Sequence, residues 1–261
     1  MIRSLWTGTT GMTSQQLNMD VIANNLANVA TTGFKKSRAD FQDLMYQIMK
    51  VPGSKSSADT ESPTGIQVGL GVRPAAVQKV FTEGDIIQTG NELDVAIEGS
   101  GFFQVEMPNG TTAYTRSGAF KRDSNGRLTT SDGYPILPAI TIPDGSRQVT
   151  ISETGVVSAI IGTDTVSTEV GALETATFTN NAGLTAIGRN LFVESAASGT
   201  AQTAIPGNDG YGTLAQNYIE GSNVNIVEEM ASMITTQRAY EINSKSITTS
   251  DEMMKTTNNL I

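Results

Sequence analysis

The chain has 261 residues, 38% hydrophobic and 6% aromatic, with 26 glycines, a mixture that suits an elongated or multi-part protein better than a compact enzyme. It contains no cysteine and no histidine, which excludes disulfides, Cys/His zinc sites, cysteine nucleophiles and Ser-His-Asp triads. Its net charge of −9 argues against generic nucleic-acid binding, and the absence of a long apolar run argues against membrane insertion.

The charge is uneven. Residues 1–55 carry six basic side chains (Arg3, Lys35, Lys36, Arg38, Lys50, Lys55) against three acidic ones (Asp20, Asp40, Asp43), while the remainder carries 11 against 23. The first thirty residues are rich in Thr, Gln and Asn. They lack the continuous apolar segment of a cleaved signal peptide, so export without one is expected.

Leu5, Met12, Met19 and Leu26 recur every seven residues and predict a helix over residues 1 to about 27, the core of an N-terminal segment 1–36. Gly8 and Gly11 weaken its interior. Ile22 and Val29 broaden the stripe, and Gly33 after Thr31-Thr32 is a stop signal. Residues 34–50 fit either a continued helix or an extended arm. Ten of the fourteen residues from Pro52 to Gly65 are Pro, Gly, Ser or Thr, which reads as a linker or exposed loop. Residues 66–74 look like a short extended segment, so 37–75 as a whole reads as an extended linker or arm.

Residues 76–217 change character. The runs 102–106 and 111–116 flank Asn109-Gly110, 119–123 and 127–131 flank Asn125-Gly126, and 148–152 and 156–161 flank Thr154-Gly155. These are hairpin signals and predict an antiparallel β domain.

From 218 to 261 the helical period returns. Asn225 is a cap candidate, with Glu228 completing a capping box. Ile226, Met233, Tyr240, Ile247, Met254 and Ile261 form one apolar line. A second line, Met230, Gln237, Ser244, Asp251, Asn258, turns polar after its first residue. Glu241–Lys245 and Asp251–Lys255 are i,i+4 pairs in the favourable order. A stripe this narrow does not hold a long helix in water unaided. The expected partner is the N-terminal helix, with neighbouring copies of the chain burying what that pair leaves open. The fold class is therefore α+β: long N- and C-terminal helices pairing as a coiled coil, and a central antiparallel β domain, joined by an extended linker.

Chemistry is scarce. No complete nucleotide-binding fingerprint exists. Residues 123–134 superficially resemble a calcium loop, but Gly126 and Tyr134 fall at the wrong positions, so the stretch reads as turns. Asn109-Gly110-Thr111 is formally a glycosylation sequon, explained by its hairpin turn. Asp85, Asp94 and Glu98 lie near a glycine-rich stretch and read as ordinary surface carboxylates. No catalytic residue, cofactor site or metal site is expected.

Residues 23–37, ANNLANVATTGFKKS, resemble the N-terminal signature of the flagellar rod and hook family of bacterial axial proteins. Residues 222–247 resemble its C-terminal signature, centred on Gln237, Arg238, Ala239, Tyr240, Glu241 and Asn243, as Asn24, Asn25, Asn28, Gly33 and Phe34 centre the first. Residues 93–105 and 113–128 resemble its β-domain motifs. Length and the stretch 41–74 look most like the distal rod members. A sibling axial protein (proximal rod or hook) is the alternative, and a soluble binding module a more distant one. The resemblance implies no enzyme but a subunit of a straight, rigid helical tube that transmits torque and encloses the export channel. Its implied partners are further copies of itself, proximal rod and hook proteins at its ends, P and L ring proteins around it, and the type III export apparatus and rod-assembly cap. The implied location is the periplasm-spanning rod of the basal body. In the family, the segment near 46–75 is associated with keeping the rod straight. The residues assigned to helix contacts and assembly are Leu5, Met12, Met19, Leu26, Ile226, Met230, Met233, Tyr240, Ile247 and Met254.

Overall fold

A computed structural model describes residues 2–53, 55–57, 60–61, 63–162 and 166–258. Ile261, expected to close the C-terminal apolar line, lies outside the described residues, as do Ser54, Ala58, Asp59 and Ser62 of the expected linker. The architecture is two long helices with an antiparallel β domain between them in sequence, an α+β chain. It divides into two compact units, one of residues 1–26, 37–78 and 225–261 and the other of residues 27–36 and 79–224.

The first unit contains helix α1 (Ile2–Ala27) and helix α2 (Ile226–Asn258). The helix expected over residues 1 to about 27 ends at Ala27, and residues 28–33 turn, with the Thr31 amide donating to the Asn28 carbonyl at 3.1 Å. Asn225 caps α2: its Oδ1 accepts from the Val227 amide at 3.0 Å and the Glu228 amide at 3.4 Å. Glu228 and Glu229 in the first turn and Lys255 in the last complement the helix dipole. Both helices are unusually rich in hydroxyls. Many of these donate to carbonyls one turn back, as Thr9 does to Leu5 at 2.8 Å and Thr257 to Met253 at 2.8 Å, so threonine sits in the helix without an open hydrogen bond. Asp251 and Lys255 pair at 2.6 Å as expected. Glu241 instead meets Arg238, one turn before it, at 2.9 Å.

Residues 37–79, read from the sequence as an extended linker or arm up to 75, carry a set of two-stranded ribbons. Ser37–Asp43 pairs with Val72–Lys79. Tyr46–Lys50 pairs antiparallel with Ile66–Gly69, Tyr46 opposite Gly69. Lys55–Ser57 pairs with Thr60–Glu61 beyond it.

The second unit is built on a seven-stranded sheet whose main path runs Thr185–Gly188, Leu191–Val193, Thr112–Thr115, Phe102–Glu106, Thr175–Thr177, Gln202–Ala204. Successive side chains point to opposite faces of a strand, and here both faces are buried. Phe103 enters a cluster with Val95, Ile97, Phe120, Leu128 and Ile136. Phe102 enters another with Tyr114, Phe178 and Phe192, where rings meet edge-on at 4.8–6.2 Å. The three hairpins marked by Asn-Gly and Thr-Gly form with registers Thr112↔Glu106, Arg122↔Leu128 and Ile151↔Val157. Each glycine holds a positive φ: 78° at Gly110, 78° at Gly126, 84° at Gly155. A further tight turn carries no glycine at its two central positions. Arg189 and Asn190, at φ 55° and 57°, join Thr185–Gly188 to Leu191–Val193. Asp94, read from sequence as a surface carboxylate, is buried. It accepts from the Thr89 hydroxyl at 2.7 Å and from Asn91 Nδ2 at 2.9 Å, so it pins its own loop.

Candidate assembly surface

Within the first unit the two helices run antiparallel in contact. The hydroxyls of Ser4 and Ser250 lie 3.3 Å apart, Asn18 Nδ2 donates to Thr236 Oγ1 at 3.0 Å, and Asn25 Nδ2 donates to Glu229 Oε2 at 3.2 Å. Between the first two rungs Gly11 backs onto Asn243; a Cβ at Gly11 would lie 2.9 Å from Asn243 Nδ2. The rungs 4–250, 11–243, 18–236 and 25–229 advance seven residues at a time, in opposite directions on the two helices. One helical turn along, Gly8 backs onto Ile247, where a Cβ would lie 2.9 Å from Cγ1.

The period expected from the sequence is therefore present, but its central line is polar and small. On α2 the buried residues are Glu229, Thr236 and Ser250, each one position before the second line read from the sequence. Met230, assigned to that second line, is 51% exposed, and Ile226 and Tyr240 are exposed at 47% and 38%. Met233, Ile247 and Met254 are half-buried. On α1, Leu5, Met12, Met19 and Leu26 are half-buried beside the rung residues rather than on them. Apolar periodicity located the stripe's flank, because the close approach at its centre is made by glycine and short polar side chains that hydropathy does not mark.

Several residues of the signature around Gly33 have a physical reason, while Asn24 is exposed. Asn25 Oδ1 accepts from the Ser37 amide at 2.8 Å, and its Nδ2 donates to the Ser37 carbonyl at 2.9 Å. Asn28 accepts from the Thr31 hydroxyl at 3.2 Å. In the second unit, Gly33 turns at φ 69° with Ser117 so close that a Cβ would lie 2.6 Å from its nitrogen. Phe34 is buried beneath the Lys79 ammonium, 4.3 Å from the ring centroid. Asn223 accepts from the Lys36 amide at 2.7 Å and donates to the Val80 carbonyl at 2.8 Å. Of the C-terminal signature, Gln237, Arg238 and Glu241 are exposed, Ala239 is half-buried, and Asn243 faces Gly11.

Three residues that the sequence did not single out form a buried ionic cluster in the second unit. Glu220, fully buried, accepts from Lys35 Nζ at 2.5 Å, Arg116 Nε at 2.7 Å and the Gly84 amide at 3.0 Å. Arg116 also donates to the carbonyls of Gly99 and Gly101, both at 2.8 Å, and Lys35 to that of Thr82 at 2.6 Å. Burial pushes the Glu220 carboxyl up, but the Arg116 and Lys35 cations outweigh it and hold it below the usual carboxylate range. Burial pushes the Lys35 ammonium down despite Glu220. Lys35 and Arg116 lie inside the quoted motifs. Each charge has polar residues or glycine beside it in the sequence, and nothing local points to a partner 104 or 185 residues away.

Apolar side chains crowd the surface of the first unit. On the ribbon Tyr46–Lys50 with Ile66–Gly69 and just beside it, Met45 is 84% exposed, and Tyr46, Ile48, Met49, Val51 and Ile66 are exposed too; on α2 so are Val227 (76%), Ile234 and Ile242, and on α1 Trp6. A monomer gains nothing by holding this many large apolar groups in water.

Comparison with known proteins fits this surface. Residues 5–35 match the family described as flagella basal body rod protein, residues 96–159 the flagellar hook protein FlgE/F/G D1 domain, and residues 215–260 the flagellar basal body rod FlgEFG protein C-terminal region. The chain is 53% identical over 262 residues to the flagellar basal-body rod protein FlgG of Borreliella burgdorferi, covering 100% of this chain and 99% of that one. The chain belongs to the flagellar basal-body rod protein family. The rod protein FlgG of Buchnera aphidicola subsp. Schizaphis graminum is 52% identical over 255 residues, 98% of each chain. The flagellar hook protein FlgE of Helicobacter mustelae is 43% identical over 137 residues, 52% of this chain and 30% of that one. Flagellar rod proteins are structural subunits, not enzymes, and the buried cluster at Glu220 accordingly reads as architecture.

Proposed function

We propose that the chain is the subunit of the distal rod, polymerising into a straight, stiff helical tube that carries torque from the motor to the hook and encloses the export channel. α1 and α2 pair as a coiled coil within the inner-domain segments 1–36 and 218–261, which line the channel; residues 37–75 are the extended linker or arm, and 76–217 the β domain. Proximal rod and hook proteins join its ends, P and L ring proteins surround it where it spans the periplasm, and it reaches its place through the type III export apparatus under a rod-assembly cap. The observation that carries this reading is the apolar surface of the first unit, Met45, Ile48, Met49, Val227 and Ile234 above all, which only further copies of the chain would bury along both helices and the ribbon at once.

The test is electron microscopy of the purified chain at rising concentration, with proximal rod added as seed, beside a version lacking 1–30 and 222–261. Straight tubes from the full chain alone are expected. Compact particles from the seeded full chain at every concentration would overturn the proposal.

A further inference from the structure

We propose that Gly8 and Gly11 set the register of the helix pair. They are two notches in α1 that accept Ile247 and Asn243 and so select one alignment among those the seven-residue repeat permits. This rests on the paired-helix reading above and goes beyond it.

Glycine is the least favourable residue in a helix interior after proline, yet α1 carries two, three residues apart and hence on one face. Both meet α2, and at each a Cβ would come within 2.9 Å of an α2 side chain. The hydrogen-bonding ladder does not by itself fix the alignment, because it repeats. Slipping α2 by one heptad would set Ser4 opposite Thr257, Gly11 opposite Ser250, Asn18 opposite Asn243 and Asn25 opposite Thr236, still polar on polar. Size is what changes. In the slipped register Ile247 and Asn243 face Gln15 and Asn18, where no notch exists, while Gly11 faces the small Ser250 across a void. Glu229, buried in the observed register, would lose its hydrogen bond from Asn25. The opposite slip sets the larger Tyr240 against Gly8 and leaves Asn25 opposite residue 222, before α2 begins.

The chain has no cysteine, so engineered disulfides report the register directly. In the full chain, assembled into tubes, Ser4→Cys with Ser250→Cys reads the observed alignment, and Ser4→Cys with Thr257→Cys reads the slipped one. With the native glycines the first should form at least about tenfold more intrachain disulfide than the second. Gly8→Leu with Gly11→Leu should reduce that preference to about threefold or less, and adding Asn243→Ala to Gly11→Leu alone should restore part of it. Helix propensity predicts the reverse sign, since leucine strengthens α1. A preference unchanged or raised by the leucines would therefore overturn the proposal while leaving the pairing intact. If Ser4→Cys/Ser250→Cys formed no disulfide in chains that still built tubes, the pairing itself would be wrong and the register proposal would fall with it.

Discussion

Replacing Glu220 by Gln leaves the shape of the cluster and removes its one negative charge. Lys35 and Arg116 then remain buried, each 5% exposed or less at the side chain, with no anion among the described residues in contact apart from the partly exposed Glu83, 4.0 Å from Arg116. Forming a buried ion pair gains little net, but removing one partner leaves an uncompensated charge, at a cost of about 3–5 kcal/mol. For a unit of this size each kcal/mol moves the melting temperature by about 2–4 °C, so a fall of roughly 6–20 °C is expected for the β unit at neutral pH. Scanning calorimetry of the full chain below its assembly concentration measures it. The pH dependence gives a second reading. The Glu220 carboxyl is held below its usual range in the folded state, so its contribution is complete above the unfolded-state value and is lost as pH falls through the lower folded one. The gap between wild type and Glu220→Gln should therefore narrow as pH falls through that acid window. A drop under about 2 °C at neutral pH, or a gap that widens in acid, would refute the argument.

Asn25→Ala removes three hydrogen bonds of a buried side chain. It should destabilise the first unit by about 1–3 kcal/mol, measured as earlier urea unfolding of the assembled state, with Asn25→Asp failing to rescue because it cannot donate to Ser37. Met45→Glu with Ile48→Glu should leave the melting temperature of the β unit within about 2 °C of wild type yet raise the concentration needed for tubes; unchanged assembly would show that the ribbon is not an interface. In dilute solution, amide exchange over 1–30 and 222–261 should be fast, because the apolar faces there lack their neighbours, and strong protection would count against that view. Deleting 52–65 should leave tubes that bend, scored by their curvature in electron micrographs; straight, stiff tubes from the deletion would remove that segment from any account of rigidity.

Much of the fold is legible because short-range chemistry marks it. Asn-Gly and Thr-Gly turns placed three hairpins, and Asn225 marked the start of α2, since a cap or a positive φ restricts which residues fit. The turn at Arg189-Asn190 escaped notice for the converse reason: its two left-handed residues lack the glycine that advertises such a turn. The helix line was found but displaced, because an apolar pattern reports where methionine and leucine lie, whereas Ser4, Gly11, Asn18 and Asn25 bring the helices together by being small or by bonding. The Glu220 cluster was invisible for a third reason. Its members come from residues 35, 116 and 220, and complementarity across such separations leaves no spacing to read.

Asn25 carries one more consequence. Its carboxamide is a peptide group in miniature, and it meets Ser37 as a neighbouring strand would, giving and receiving one hydrogen bond with the same residue. A helix thereby supplies one step of counterfeit sheet to a strand that it could not otherwise pair with. The first residue of Ser37–Asp43 is spoken for on that side, so at that step the edge offers a stray strand no open backbone groups.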